Sequence, residues 1–315
     1  MEQKRLKPWV GVIFLAIVLA MAQFVCFPIQ GKLGLWGLAI TELILLVMAI
    51  VAALICKQNL KEVFPIKLPK LRETFGVLIF WVGGILAAYM ATFIFSLFFL
   101  EEMVAVNSGL SNIMASEGML LGILIASVMP AICEEAVHRG FILHTFKGVK
   151  KPWVIVLSMG ILFGVFHLDF YRFIPTAILG ACLTWVMLKT ENMLMPALYH
   201  GVNNLLPVLL SIGLQKAMTG AAATTPEGEA AVLVEQLTEA GWPMYVSSIG
   251  TYLLLGVAAF PLLLAGTALM KKKGEKIKGK HIATVFIISG ACFLIGIIML
   301  LVGSVYMVSQ GVISI

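Results

Sequence analysis

The feature that most constrains this chain is a set of apolar runs over 8–27, 34–56, 76–100, 245–268 and 282–307. Each is about 20 or more residues long, and at ~1.5 Å per residue such a helix crosses a hydrocarbon layer of ~30 Å. Backbone polar groups find no water there, so each run must satisfy its own hydrogen bonds, which a helix does within one segment. The alternating period of a membrane β-barrel is missing. Extending the reading to 245–269 and 282–308 and adding 119–145, 153–168, 173–189 and 194–213 gives nine segments. Composition agrees: 61% of residues are hydrophobic and 12% charged, too apolar for one soluble core to hide. The expected fold is all-α, a polytopic transmembrane helical bundle of eight to nine helices in a single membrane domain over 1–315.

The net charge of +6 does not indicate nucleic-acid binding, because the basic residues sit in short clusters between the apolar runs. They read instead as topology signals. With a cytoplasmic N-terminus, eighteen of the 22 Lys and Arg residues fall inside and Lys32, Arg172 and Lys216 outside, with Arg139 left within a helix. This is the asymmetry of an integral protein of a cytoplasmic membrane, and the short loops suggest a bacterial one. Residues 57–75, with Pro65 and Pro69, read as an interfacial cytoplasmic connector. Residues 214–244 read as an external acidic loop carrying Glu227, Glu229, Glu235 and Glu239. The five cysteines form no CxxC pair, so neither a disulfide framework nor a thiolate metal site is expected. Lys4, Arg5 and Lys7 precede an apolar run with a small-residue Ala20-Met21-Ala22 step, as in a signal peptide. The run continues through Phe24, Val25 and Phe27, which favours a retained helix.

Ionisable groups inside a membrane helix are costly and mark function by default. Segment 119–145 holds Glu134, Glu135 and Arg139. Glu135 and Arg139 are four apart, share a face and can neutralise each other. Glu134 points about 100° away and lacks that partner, while Pro130 one turn earlier can kink the helix. Phe163 and His167 share a face of the next segment, and His200 and Asn204 share a face of segment 194–213. At ~1.5 Å per residue, Glu134, His167, Asn204 and His200 lie ~16, ~20, ~15 and ~9 Å from the cytoplasmic side, depths that allow one polar cavity. Each alone is explained by interhelical hydrogen bonding; a carboxylate, two imidazoles and an amide converging are harder to explain so. Glu42 reads as structural or accessory, His138 as facing the site or capping its network, and His144 and His281 as interfacial.

Glu134-Glu135-x-x-x-Arg139, Phe163-x-x-x-His167 and His200-x-x-x-Asn204 resemble the three motifs of the CAAX-protease and bacteriocin-processing (CPBP, or Abi) family, which includes type II CAAX prenyl endopeptidases. The resemblance covers roughly 119–210, the expected catalytic core. It implies that Glu134, assisted by His167, activates a water for attack on a peptide carbonyl, with His200 and Asn204 stabilising the oxyanion. Glu135, Arg139 and Phe163 would support the site. Partial desolvation suits a carboxylate to proton transfer near neutral pH, and preorganised donors often supply the largest share of acceleration. Two schemes exist for the family, a metal-independent glutamate peptidase and a metallopeptidase. The first is preferred, because Asn204 suits an oxyanion donor and is a poor zinc ligand. In the second, Glu134, His167 and His200 would hold zinc, with one position for water. The expected partners are membrane lipid and a membrane-associated or lipidated peptide or protein.

Other intramembrane proteases fit less well, since His-Glu-x-x-His, Gly-x-Gly-Asp and Gly-x-Ser-x-Gly are all missing. Two other classes stay open. A transporter with a midplane polar relay predicts repeat symmetry and paired broken helices, which the sequence does not display. A non-catalytic scaffold or immunity protein of the same fold predicts that Glu134 is dispensable.

Overall fold

The computed structural model describes residues 5–99, 102, 119–218, 241–272 and 274–310. Among these residues every regular element is a helix. Six stretches are long and apolar enough to cross a membrane: Pro8–Ile55, Leu71–Ser96, Leu120–Thr145, Phe173–Thr190, Trp242–Met270 and Gly279–Ser309. The protein is an integral membrane protein with the expected helical-bundle fold. Its outer surface is apolar to match: in the last helix Phe286, Ile287 and Leu294 are 61%, 70% and 62% exposed, which favours lipid as their solvent.

The first stretch holds two expected segments. Helix α1 (Pro8–Met21) passes through a π-helical turn, Ala22–Cys26, into α2 (Phe27–Ile55). Gly34, at φ 54° and ψ −127°, interrupts α2 and reverses the chain. Gln30 Nε2 donates to Thr41 Oγ1 at 2.9 Å, whereas eleven residues of straight helix would separate them by ~16 Å. The two arms form a hairpin whose Phe14, Val18, Ala49 and Ala53 share a buried cluster with Val137 and Ile142. A side chain at Gly34 would be strained whatever the space around it. Gly34→Ala is therefore expected to cost ~1–3 kcal/mol, measured by unfolding in detergent micelles; an unchanged midpoint would refute the strain.

After α3 (Leu60–Val63), capped by the Asn59 side chain accepting from the Lys61 N–H, comes α4 (Leu71–Ser96). It starts before the expected residue 76 because its first turn is polar and invisible to hydropathy. Glu73 there suits a helix N-terminus. Helix α5 (Leu120–Thr145) contains π-helical stretches Leu124–Val128 and Ala136–Ile142 on either side of a regular turn, Met129–Glu135. Then follow α6 (Pro152–Phe166), α7 (Phe173–Thr190) and α8 (Leu194–Met218). Residues 219–240, most of the expected acidic loop, lie outside the described residues. The expected segment 245–269 is two helices, α9 (Trp242–Gly256) and α10 (Ala259–Met270). Pro261, in the first turn of α10, lacks the N–H that a continuous helix would use. Helix α11 (Gly279–Ser309) follows.

Packing relies on close backbone approach, as expected where the surrounding lipid is as apolar as the side chains. Helix α4 lies along α10, where a Cβ on Gly266 would sit 2.6 Å from the Gly76 carbonyl oxygen. Helices α6 and α7 pair, as do α9 and α11, while α5 lies between α2 and α8. A second cluster joins Val77 and Phe80 of α4 to Phe163, Leu183 and Tyr199. The polar residues of α5 sit between the two clusters.

Candidate active site

Helix α5 supplies Glu134 and Glu135 from the last turn of its regular segment, and the following π-helical stretch supplies His138 and Arg139. π-helical turns are rare and frequent at functional sites. Arg139 Nη1 donates to Glu135 Oε1 at 2.9 Å, and both side chains are wholly buried. The other arm of the guanidinium, Nη2, donates to the Gly180 carbonyl oxygen of α7 at 2.9 Å. Its plane lies over the Phe163 ring, 4.6 Å from the centroid. One cation thus ties together α5, α6 and α7. Gly180 has no room for a side chain, since a Cβ there would meet Phe163 Cβ at 2.5 Å.

The same Glu135 oxygen receives His200 Nδ1 at 2.9 Å. The ring is thereby oriented by a carboxylate that Arg139 itself holds, and its Nε2 faces Glu134 Oε2 at 3.9 Å, beyond hydrogen-bond length. Glu134 Oε2 is buried and has no hydrogen-bond partner among the described residues, although the side chain as a whole keeps 12% exposure. Two adjacent carboxylates therefore serve differently: Glu135 is committed to the scaffold, and Glu134 is uncommitted at the edge of access.

His167 caps the end of α6 with its ring 4.9 Å from that of Phe163. Its Nδ1 lies 2.9 Å from the Phe163 carbonyl oxygen. A carbonyl can only accept, so Nδ1 carries the proton and the neutral ring presents a lone pair on Nε2. His138 similarly donates from Nδ1 to the Glu134 carbonyl at 3.0 Å and stacks edge-on against Phe163 and Phe166, which makes it part of the wall. Asn204 lies one turn beyond His200 on α8, and Asn203 Nδ2 donates to its Oδ1 at 3.5 Å. Ser127 Oγ donates to the Gly201 carbonyl at 2.7 Å, fixing α8 against α5 beside His200.

Two charged residues join the site beyond the sequence reading. The charge of Arg172, read as a loop residue, reaches both Glu134 and His167. Glu42, read as accessory, is 2% exposed with Oε2 lacking a partner among the described residues, and its carboxyl interacts with that of Glu134. Among the described residues no three His, Cys, Asp or Glu side chains are grouped so as to hold a metal ion. The zinc alternative of Glu134, His167 and His200 lacks that grouping in this arrangement.

This geometry defines a class: a polar cluster walled by membrane helices, in which the Glu134 carboxylate stands outside the Glu135–Arg139 ion pair. Residues 116–206 match the family model described as Type II CAAX prenyl endopeptidase Rce1-like. That stretch carries all three motifs, so the family resemblance drawn from them is borne out over the core of the chain, and it supports an intramembrane protease in general. UPF0177 protein YxdF of Lactococcus lactis subsp. lactis (strain IL1403) is 28% identical over 133 residues, which span 40% of this chain and 73% of that protein. No solved structure matches.

Proposed function

We propose that this protein is an intramembrane endopeptidase that hydrolyses a peptide bond of a membrane-associated or lipidated substrate. The observation that carries the reading is the asymmetry of the two carboxylates: Glu135 Oε1 is held by both Arg139 and His200, whereas neither holds Glu134, whose buried Oε2 faces His200 Nε2 without a hydrogen-bond partner among the described residues. A structural ion-pair network needs only the first. In the proposed reaction Glu134 takes a proton from water, and the lone pair of His167 Nε2 holds that water for attack on the carbonyl carbon. His200, when it carries both ring protons, donates from Nε2 to the oxyanion, and the Asn204 amide adds a second donor. The proton on Glu134 then passes to the leaving amine.

The protein would lie in a bacterial cytoplasmic membrane with its N-terminus inside, and its site would work without a metal. Chelator treatment is expected to leave cleavage unchanged within about twofold, since no metal-bound water is needed. A large loss, restored by zinc alone, would replace this scheme with the metal-dependent one. The reading as a whole is tested by expressing wild type and Glu134→Gln at matched levels and comparing membrane-associated peptide termini by mass spectrometry. Termini found only with wild type support a peptidase and identify its substrate. Identical termini, with Glu134→Gln matching wild type in phenotype, would shift the reading to a scaffold.

A further inference from the structure

Away from the polar cluster, a cavity of about 490 Å³ opens where α4 begins and where α7 and α10 end. Six cations, Lys67, Lys70, Arg72, Lys189, Lys271 and Lys272, line it against two acids, Glu73 and Glu191. Its wall is built rather than loose. Asn192, 1% exposed, accepts from the Lys67 N–H and donates to the Lys67 carbonyl, both at 3.0 Å, and the Met193 N–H donates to the Pro65 carbonyl. These bonds pin the connector after α3 to the α7–α8 turn.

The local acids do not balance the charge. Glu73 takes Lys70 at 2.9 Å, Glu191 takes Lys272 at 2.7 Å, and Glu275, just outside the lining, takes Lys189 at 2.5 Å. Lys272 holds the Glu191 carboxyl below its usual range, and Lys189 does the same for Glu275, so these acids stay ionised and engaged near neutral pH. Arg72 donates one N–H to the Ala268 carbonyl at 2.8 Å, and neither it nor Lys271 forms a close ion pair among the described residues, Lys271 acting only at longer range on Glu275, which Lys189 already engages. Beside this excess of positive charge stand apolar side chains turned outward: Ile66, Leu68 and Leu71 are 69%, 93% and 79% exposed. A soluble anion would have no use for that apolar rim. A phosphate attached to acyl chains would use both.

We infer that this cavity binds the phosphate headgroup of an anionic membrane phospholipid, with its acyl chains against the leucine rim. Basic recesses between membrane helices suit such headgroups, and each nearby cation contributes to the attraction. The site is separate from the catalytic cluster and does not rest on the peptidase reading.

The test uses the full-length protein purified in neutral detergent. Its unfolding midpoint is followed while phosphatidylglycerol, phosphatidylcholine or soluble glycerol phosphate is added. Phosphatidylglycerol alone is expected to raise the midpoint saturably. Arg72→Gln with Lys271→Gln should weaken its apparent affinity about 10- to 30-fold. Glu73→Gln, which removes a rim acid, should tighten binding and guards against a double variant that merely folds poorly. Equal shifts with phosphatidylcholine, equal shifts with glycerol phosphate at matched concentration, or unchanged affinity in both variants would each overturn the inference.

Discussion

Glu134→Gln is expected to lower the cleavage rate by at least ~10²–10⁴-fold while leaving the protein folded and its unfolding midpoint nearly unchanged. Removing a general base costs roughly that factor. The fold should tolerate the change because Glu134 Oε2 makes no hydrogen bond among the described residues, and the amide occupies the same volume. Most buried polar groups are satisfied, so one without a partner calls for an explanation, and engagement of a reacting water supplies it for Glu134. Purified wild type and variant, assayed on the substrate found from peptide termini, separate the two effects. Comparable rates would sink the assignment of the base. Equal loss of rate and of stability would make Glu134 a structural residue.

The helical bundle was legible from the apolar runs because lipid leaves the backbone so few choices. The hairpin was legible too: 8–27 and 34–56 were separable as runs, and Gly34 is where the chain turns. The Glu135–Arg139 pair followed from a spacing of four, which one helix enforces locally. What the sequence could not supply was everything that depends on how helices face one another. Gly180 binds Arg139 through a backbone carbonyl, a group every residue has, so its position in α7 carries no signal. Arg172 sits in a connecting turn by linear reading, yet the end of α6 and the start of α7 bring its charge to Glu134 and His167. Glu42 looked peripheral because depth along one helix says nothing of azimuth; α2 packs against α5, and the Glu42 carboxyl is close enough to interact electrostatically with Glu134. The break between α9 and α10 was hidden because Val257 and Ala258 continue an apolar run without interruption.

Glu135→Gln and Arg139→Met are each expected to destabilise the protein by ~3–5 kcal/mol, because each leaves one buried ion without its counter-charge. The size follows from burial. Both side chains are wholly inaccessible at 2.9 Å, and Glu135 also anchors His200, so no water can replace a lost partner. The Lys272–Glu191 pair is comparably short but more than half exposed, and its loss should cost no more than ~1 kcal/mol. Combining Glu135→Gln with Arg139→Met should recover much of the stability, since neither member of the pair is then left as an ion without its counter-charge. Activity should not return with it: His200 Nδ1 would face an amide in place of a carboxylate, and its Nε2 would no longer be held towards Glu134. Unfolding of the two single variants and the double variant in detergent micelles gives the coupling energy, and cleavage by the refolded double variant gives the positioning effect. Single-variant costs below ~1 kcal/mol would mean that water reaches the pair. A fully active double variant would mean that His200 is positioned by α8 alone, with Ser127 and Gly201 holding that helix in place of Glu135.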